Sequence, residues 1–242
     1  MGQTKRKKKQ FFHGLRDGIP ICLGYIPIAF AFGMQAAQSG LPVWTPVAIS
    51  MTNLTSAGQF AGLEIILAGG AFIELAVTTF IINMRYMLMS LALSQRMDPQ
   101  MTTLQRCLAA FGNTDEIFAV AIRREEPLTF VYLLGLILLP YIGWAGGTFI
   151  GATATALLPQ MLQSALGITI YAMFIAIIIP PSRKARPVLI TVLLAAALSC
   201  LFRYLPGLNR LSAGWGIIIV ALAAAGFCAW RFPVDEPGRE AA

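Results

Sequence analysis

Asn53-Leu-Thr-Ser-Ala-Gly-Gln-Phe-Ala-Gly-Leu-Glu64 sets two amides, two hydroxyls, a carboxylate and two glycines inside otherwise apolar sequence. As the middle of a membrane span it is too polar. As a loop it lacks both a proline and a charge cluster. Irregular backbone at membrane depth survives only where it is buried in protein or lines a cavity. The stretch therefore predicts a broken or re-entrant segment over 43–67. Gly58 would permit the break, and Gln59 would satisfy freed backbone groups or touch a ligand, with Ser56 beside them.

The surrounding composition supports a membrane setting. Of 242 residues, 57% are hydrophobic and 12% charged, and the mean hydropathy is +0.71. Soluble domains carry about twice that share of charge. Apolar runs that approach or exceed the ~20 residues of a helical span recur along the chain. They predict an all-α polytopic membrane protein with about 7–8 segments, near 18–37, 43–67, 71–93, 104–122, 128–158, 165–179, 187–205 and 213–230. A β-barrel is excluded, since it needs alternating strands instead of continuous apolar runs. The run near 104–122 is the least apolar, and it is the second candidate for a broken or re-entrant segment. Pro180-Pro181 is expected to stop the sixth segment.

The net charge of +7 is concentrated at the start, in Lys5, Arg6, Lys7, Lys8, Lys9 and Arg16. Ahead of an apolar run, this is a positive-inside anchor and not a nucleic-acid patch. A cleaved signal peptide is not expected, because the run is long, holds Pro20 and Pro27, and precedes further spans. The domain reading is a basic cytoplasmic tail at 1–10, one membrane transport domain at 11–231, and a short cytoplasmic tail at 232–242. With eight crossings, Arg123-Arg124 and the Arg183–Arg186 loop fall inside, but Arg96 and Arg106 fall outside. If segments two and four re-enter, Arg96 and Arg106 return to the basic side.

Widely spaced cysteines and a single histidine, His13, rule out a metal framework and Ser-His-Asp chemistry. No cofactor and no enzymatic role are expected, and without a Walker A motif the chain does not itself hydrolyse ATP. Intramembrane charge costs about 2.5–3.5 kcal/mol per residue on insertion scales and marks a polar path. The candidates are Glu64, Glu74, Arg85, Asp115 and Glu116. Arg85 suits bidentate capture of a carboxylate, with Asp115 or Glu116 as its natural partner and as a proton carrier. Asn113-Thr-Asp-Glu116 also resembles a helix start, capped by Asn113 or Thr114. Gly143, Gly147 and Gly151 form a small-residue stripe that lets a second helix approach closely.

Gly24-Tyr-Ile-Pro-Ile-Ala-Phe-Ala-Phe-Gly33, Gln59-Phe60, Asn83-Met-Arg-Tyr86 and Thr114-Asp-Glu116 together resemble the AzlC family, in order and spacing, over residues 11 to 231. That family comprises large subunits of LIV-E type branched-chain amino acid exporters. The resemblance implies export of leucine, isoleucine and valine, in some members methionine, from a bacterial cytoplasmic (inner) membrane with a small AzlD-type membrane partner. The substrate-site candidates are then Arg85, Asn83, Gln59, Ser56 and Gly58, with Asp115, Glu116, Glu74 and Glu64 as counter-ion or coupling residues. The chain departs from the family at Ser56-Ala-Gly58, where Gly-Ala-Ser is frequent, and at Tyr86, where histidine is frequent. Glu64 and Glu74 are not features of the family pattern. The alternative is an uncoupled permease or accessory scaffold subunit of another small-molecule transporter.

Overall fold

The computed structural model describes residues 2–205 and 211–232, and it is all-helical over them. Ten α-helices follow in order: α1 (Gly2–Gln38), α2 (Trp44–Thr52), α3 (Ser56–Leu67), α4 (Phe72–Ser94), α5 (Thr103–Phe111), α6 (Asp115–Ile122), α7 (Phe130–Ala154), α8 (Gln160–Lys184), α9 (Arg186–Tyr204) and α10 (Ala213–Arg231). Among the described residues, α1, α4, α7, α9 and α10 are long and apolar enough to cross a membrane. The two polar segments are both broken into half-helices, α2–α3 and α5–α6. Segment five ends in an extra turn, a 3₁₀ turn at Thr155–Leu157.

Two expectations are corrected. The first break falls at 53–55, and Gly58 lies inside α3. Asn53 is extended, at φ −148° and ψ 111°, and Thr55 caps the new helix by accepting from Gly58 N at 3.4 Å. A capping hydroxyl restarts a helix more effectively than a glycine within it, because it satisfies an amide that the break has orphaned. The second correction is Pro180-Pro181, through which α8 continues to Lys184. At the start of the chain, the basic residues belong to α1 itself, which is helical from Gly2. The tail at 232–242 lies outside the described residues, apart from Phe232.

The chain forms two compact units. One comprises Met1–Phe60 and Ile82–Ile170, the other Ala61–Ile81 and Tyr171–Ala242. In the first unit α7 lies along α1 with its glycines against the α1 backbone. A Cβ on Gly147 would sit 2.8 Å from the Ile26 carbonyl oxygen, and one on Gly143 2.6 Å from Cys22 Sγ. Gly151 faces the Phe30 carbonyl in the same way, while Gly14, Gly18 and Gly33 of α1 face α7 backbone at Tyr132, Leu136 and Thr148. Both helices therefore carry small residues where they meet, which maximises dispersion contact without any water to expel. Tyr25, Trp144, Leu133, Leu136 and Ile117 complete the core of this unit.

The first unit also resolves the topology of α5–α6. Leu128 N donates to Arg96 O and Asp98 N donates to Leu128 O, each at 2.9 Å. The Arg96 side chain reaches the Arg124 carbonyl and, at 3.4 Å, that of Ile122. At the same end, Thr129 Oγ1 bonds Gln10 Oε1 at 3.1 Å. Since α5 starts and α6 finishes at the basic end of α1, the pair enters and leaves on one face. Arg96 and Arg106 thus join Lys5–Lys9, Arg123 and Arg124 on a single side. Arg106 is held there by the carbonyls of Ser94, Asp98 and Met101.

In the second unit, Glu74 is 3% exposed and reaches the start of α10. It accepts from Ser212 Oγ at 2.5 Å and from Gly214 N at 2.8 Å. An ionised carboxylate at a helix N-terminus satisfies orphan amides and complements the helix dipole. Gly214 has no room for a side chain, because a Cβ would meet Glu74 Cγ at 2.6 Å.

Candidate functional site

The two helix breaks of the first unit are linked through the pair Arg85-Tyr86. Arg85 Nη1 lies 2.9 Å from Asp115 Oδ2, with the two side chains 43% and 39% exposed. Arg85 Nη2 donates to Tyr86 Oη at 3.2 Å, and the guanidinium stands over the Tyr86 ring, 4.9 Å from its centroid. The Thr55 hydroxyl stands close to the Tyr86 phenol in turn. Cap residues of both second half-helices therefore stand in one polar cluster, Thr55 of α3 directly and Thr114 of α6 through Asp115 and Glu116.

Glu116 is anchored from α1. Tyr25 Oη is 2.7 Å from Glu116 Oε2 and 2.6 Å from Thr114 Oγ1. A phenol has one proton, so Tyr25 donates to the carboxylate and the Thr114 hydroxyl donates to the phenol oxygen. Thr114 Oγ1 also accepts from Ile117 N at 3.3 Å, which makes it the cap of α6. Asn113 is the residue before the cap, and its amide donates to Ser90 Oγ at 3.0 Å. Tyr25 is positioned by its ring edge on Trp144, with centroids 5.2 Å apart.

The half-helices differ in what occupies their first turns. Asp115 and Glu116 fill that of α6, whereas α3 has no acidic residue there. The Ser56 and Ala57 amides at the start of α3 donate no hydrogen bond among the described residues. A break of this kind offers an uncommitted positive helix end beside a guanidinium that already holds an anion.

The sequence-predicted residues separate into distinct settings. Arg85, Asp115 and Glu116 come together. Ser56 is half-buried at the start of α3, and Gly58 is buried one turn inside, against the Thr55 methyl. Gln59 is buried at 2% exposure and donates to Ser50 Oγ at 2.7 Å, with Ser50 and Thr148 hydroxyls 2.7 Å apart. This polar chain ties α2, α3 and α7 together across the break, and the Gln59 carbonyl oxygen is buried without a partner. Asn83 is half-buried and its side-chain oxygen also lacks a partner. Glu74 caps α10. Glu64 is exposed and lines a groove of about 600 Å³ in the second unit with Arg203, Ser199 and Ser212. Among the described residues no group of three or more His, Cys, Asp or Glu could hold a metal.

Tyr25, Thr55 and Tyr86 were not among the sequence candidates. Two of them had a signal: Tyr25 and Tyr86 sit inside the motif stretches 24–33 and 83–86. Thr55 had only its place before an apolar helical run, a pattern too common to single it out.

The AzlC protein family matches over residues 20–158. The inner membrane protein YgaZ of Escherichia coli (strain K12) is 29% identical over 196 residues, covering 78% of this chain and 80% of its own. An uncharacterized membrane protein of Archaeoglobus fulgidus is 33% identical over 176 residues, covering 72% of this chain and 77% of its own. No solved structure matches the chain.

Proposed function

Given that the chain belongs to the AzlC family, we propose that it is a secondary transporter subunit exporting branched-chain amino acids, with a small AzlD-type membrane partner. Leucine, isoleucine and valine are the proposed substrates, with methionine as a further one. The membrane is the bacterial cytoplasmic membrane, and the basic end of α1 faces the cytoplasm, as the positive-inside rule favours. The chain acts as a carrier and not as an enzyme.

The observation that carries this reading is the Arg85–Asp115 pair beside the open first turn of α3. A zwitterionic substrate needs a cation and amide donors for its carboxylate, acceptors for its ammonium, and apolar walls for its side chain. Arg85 and the Ser56–Ala57 amides serve the first need, and Asp115 and Glu116 the second. Substrate carboxylate replaces Asp115 on Arg85, and the released Asp115 turns to the ammonium or takes a proton. Discontinuous helices whose half-helix N-termini receive a carboxylate are a recurrent solution in secondary transporters. Asn83 and Gln59 contribute the buried oxygens that shape the site from behind.

The test is efflux of labelled leucine from proteoliposomes, with and without the small partner, across an imposed pH gradient. The proposal expects gradient-dependent flux that needs the partner and is lost in Arg85→Ala. An accessory scaffold would instead keep wild-type flux in Arg85→Ala and Asp115→Asn wherever the protein still folds.

A further inference from the structure

The basic end of the first unit holds a cavity that the transport reading does not use. It has a volume of about 280 Å³ and is lined by Arg6, Lys9, Gln10, His13, Arg124 and Glu126. Its one carboxylate is engaged, since Glu126 Oε2 lies 2.6 Å from Arg124 Nη2 and the side chain is 69% exposed. Arg124, and behind it Arg6 and His13, hold the Glu126 carboxyl below its usual range, as their shared position around the cavity requires. Arg124 itself is fixed, stacked 4.0 Å from the Tyr132 ring centroid, with its Nε buried and unpartnered. Arg6 and Lys9 have no ion-pair partner among the described residues.

Beside the cavity, α1 changes character along one face. Lys9, Phe12, Arg16, Ile19 and Leu23 follow one another at three- and four-residue spacing, so they form a continuous stripe. All five are exposed. Lys9, Phe12 and Arg16 come first and the aliphatic Ile19 and Leu23 follow, so the cations and the aromatic ring lie at the headgroup end and the aliphatic side chains at the acyl end. Lys8 Nζ stands 6.0 Å from the Phe12 ring centroid, as a snorkelling cation does at an interface.

We propose that this cavity binds the phosphate of an anionic phospholipid, with Arg6, Lys9 and Arg124 as its cationic partners and the Phe12–Ile19–Leu23 stripe carrying the acyl chains. A soluble phosphate would use the same cations but gain nothing from the stripe. His13 lines the cavity as well, its Nδ1 accepting from Arg124 Nη1 at 3.5 Å. The site locks the start of α1 to the α6–α7 loop, so an occupied site ties the basic end of the bundle to the bilayer surface.

The experiment titrates the purified full-length protein in neutral detergent with phosphatidylglycerol, phosphatidylcholine or inorganic phosphate, reading the melting temperature. Phosphatidylglycerol raises it saturably, whereas phosphatidylcholine and excess inorganic phosphate do not. Arg6→Gln with Lys9→Gln shifts half-saturation by roughly fivefold per charge removed. Lys5→Gln with Lys7→Gln removes the same charge outside the cavity and leaves half-saturation unchanged. Lys9→Gln alone, at an exposed helical position, gives the single-charge shift without risk to the fold. Equal weakening by both double variants would overturn the site in favour of diffuse attraction. Saturation by inorganic phosphate alone would overturn the lipid assignment.

Discussion

Arg85 of α4 and Asp115 of α6 form a 2.9 Å ion pair in which both side chains remain more than one-third exposed. A pair that open contributes little to stability, on the order of 0–1 kcal/mol. On the proposed transport reading it serves binding more than folding. Arg85→Ala is expected to melt within about 1 kcal/mol of the parent while leucine efflux falls at least tenfold, on the order expected for losing a charge-assisted bidentate contact. Asp115→Asn should leave Arg85 free for an external carboxylate, tightening leucine binding while slowing its release. Binding and efflux measured on the same preparations check both outcomes.

Tyr25 acts at the other side of the same cluster. Its hydroxyl joins Glu116 to the cap of α6, in surroundings that are 7% exposed for Tyr25 and 2% for Thr114. Tyr25→Phe keeps the ring on Trp144 but leaves Thr114 without its phenol partner. The expected cost is about 1–2 kcal/mol of stability, together with a loss of efflux because Glu116 is no longer anchored. Tyr25→Leu should cost more, since the edge contact with Trp144 goes too.

Glu74 predicts the opposite pattern from Arg85. Glu74→Ala strands the Ser212 hydroxyl and the Gly214 amide at the start of α10, at a cost of about 2 kcal/mol. Efflux per folded molecule should stay near the parent value. Thermal melting paired with efflux separates the two cases, and a Glu74→Ala protein that folds normally yet fails to transport would assign Glu74 to coupling instead.

The α1–α7 seam gives a graded test. A Cβ added at Gly146 would meet nothing within 4 Å, whereas one at Gly147 would meet the Ile26 carbonyl oxygen at 2.8 Å. Gly146→Ala should be neutral or slightly stabilising, because it removes backbone freedom from the unfolded chain. Gly147→Leu should destabilise by about 3 kcal/mol through overpacking. Melting temperatures of the two proteins decide the matter.

Much of this architecture is legible in the residues, because membrane helices announce themselves by length and hydropathy. The broken segments were legible too, since Asn53, Thr55, Asn113 and Thr114 interrupt apolar runs that would otherwise cross unbroken. The exact break was not, because Gly58 is the more conspicuous breaker while the capping hydroxyl of Thr55 restarts the helix three residues earlier. Charge narrowed the partner of Arg85 to Asp115 or Glu116, since intramembrane ions must find partners, and packing chose Asp115. The Tyr25–Glu116 and Ser50–Thr148 contacts lay beyond sequence reasoning, since residues 91 and 98 positions apart meet only through packing. Glu74 shows the same limit. Its partner is 138 residues away, at the start of α10, and nothing near Glu74 in the chain points there.

Where α1 meets α7, backbone lies on backbone, with glycines on one helix set against carbonyls of the other. Long side chains cushion most helix contacts and let one helix slide on its neighbour by changing rotamers. This seam has no such bearing. The two helices must move as one piece, a stator to which the half-helices α2–α3 and α5–α6 are fastened by side-chain hydrogen bonds, through Ser50 to Thr148 and through Tyr25 to Glu116. On the proposed transport reading, a cysteine cross-link along the seam would therefore leave turnover intact, whereas one between α4 and α6 at the Arg85–Asp115 level would stop it.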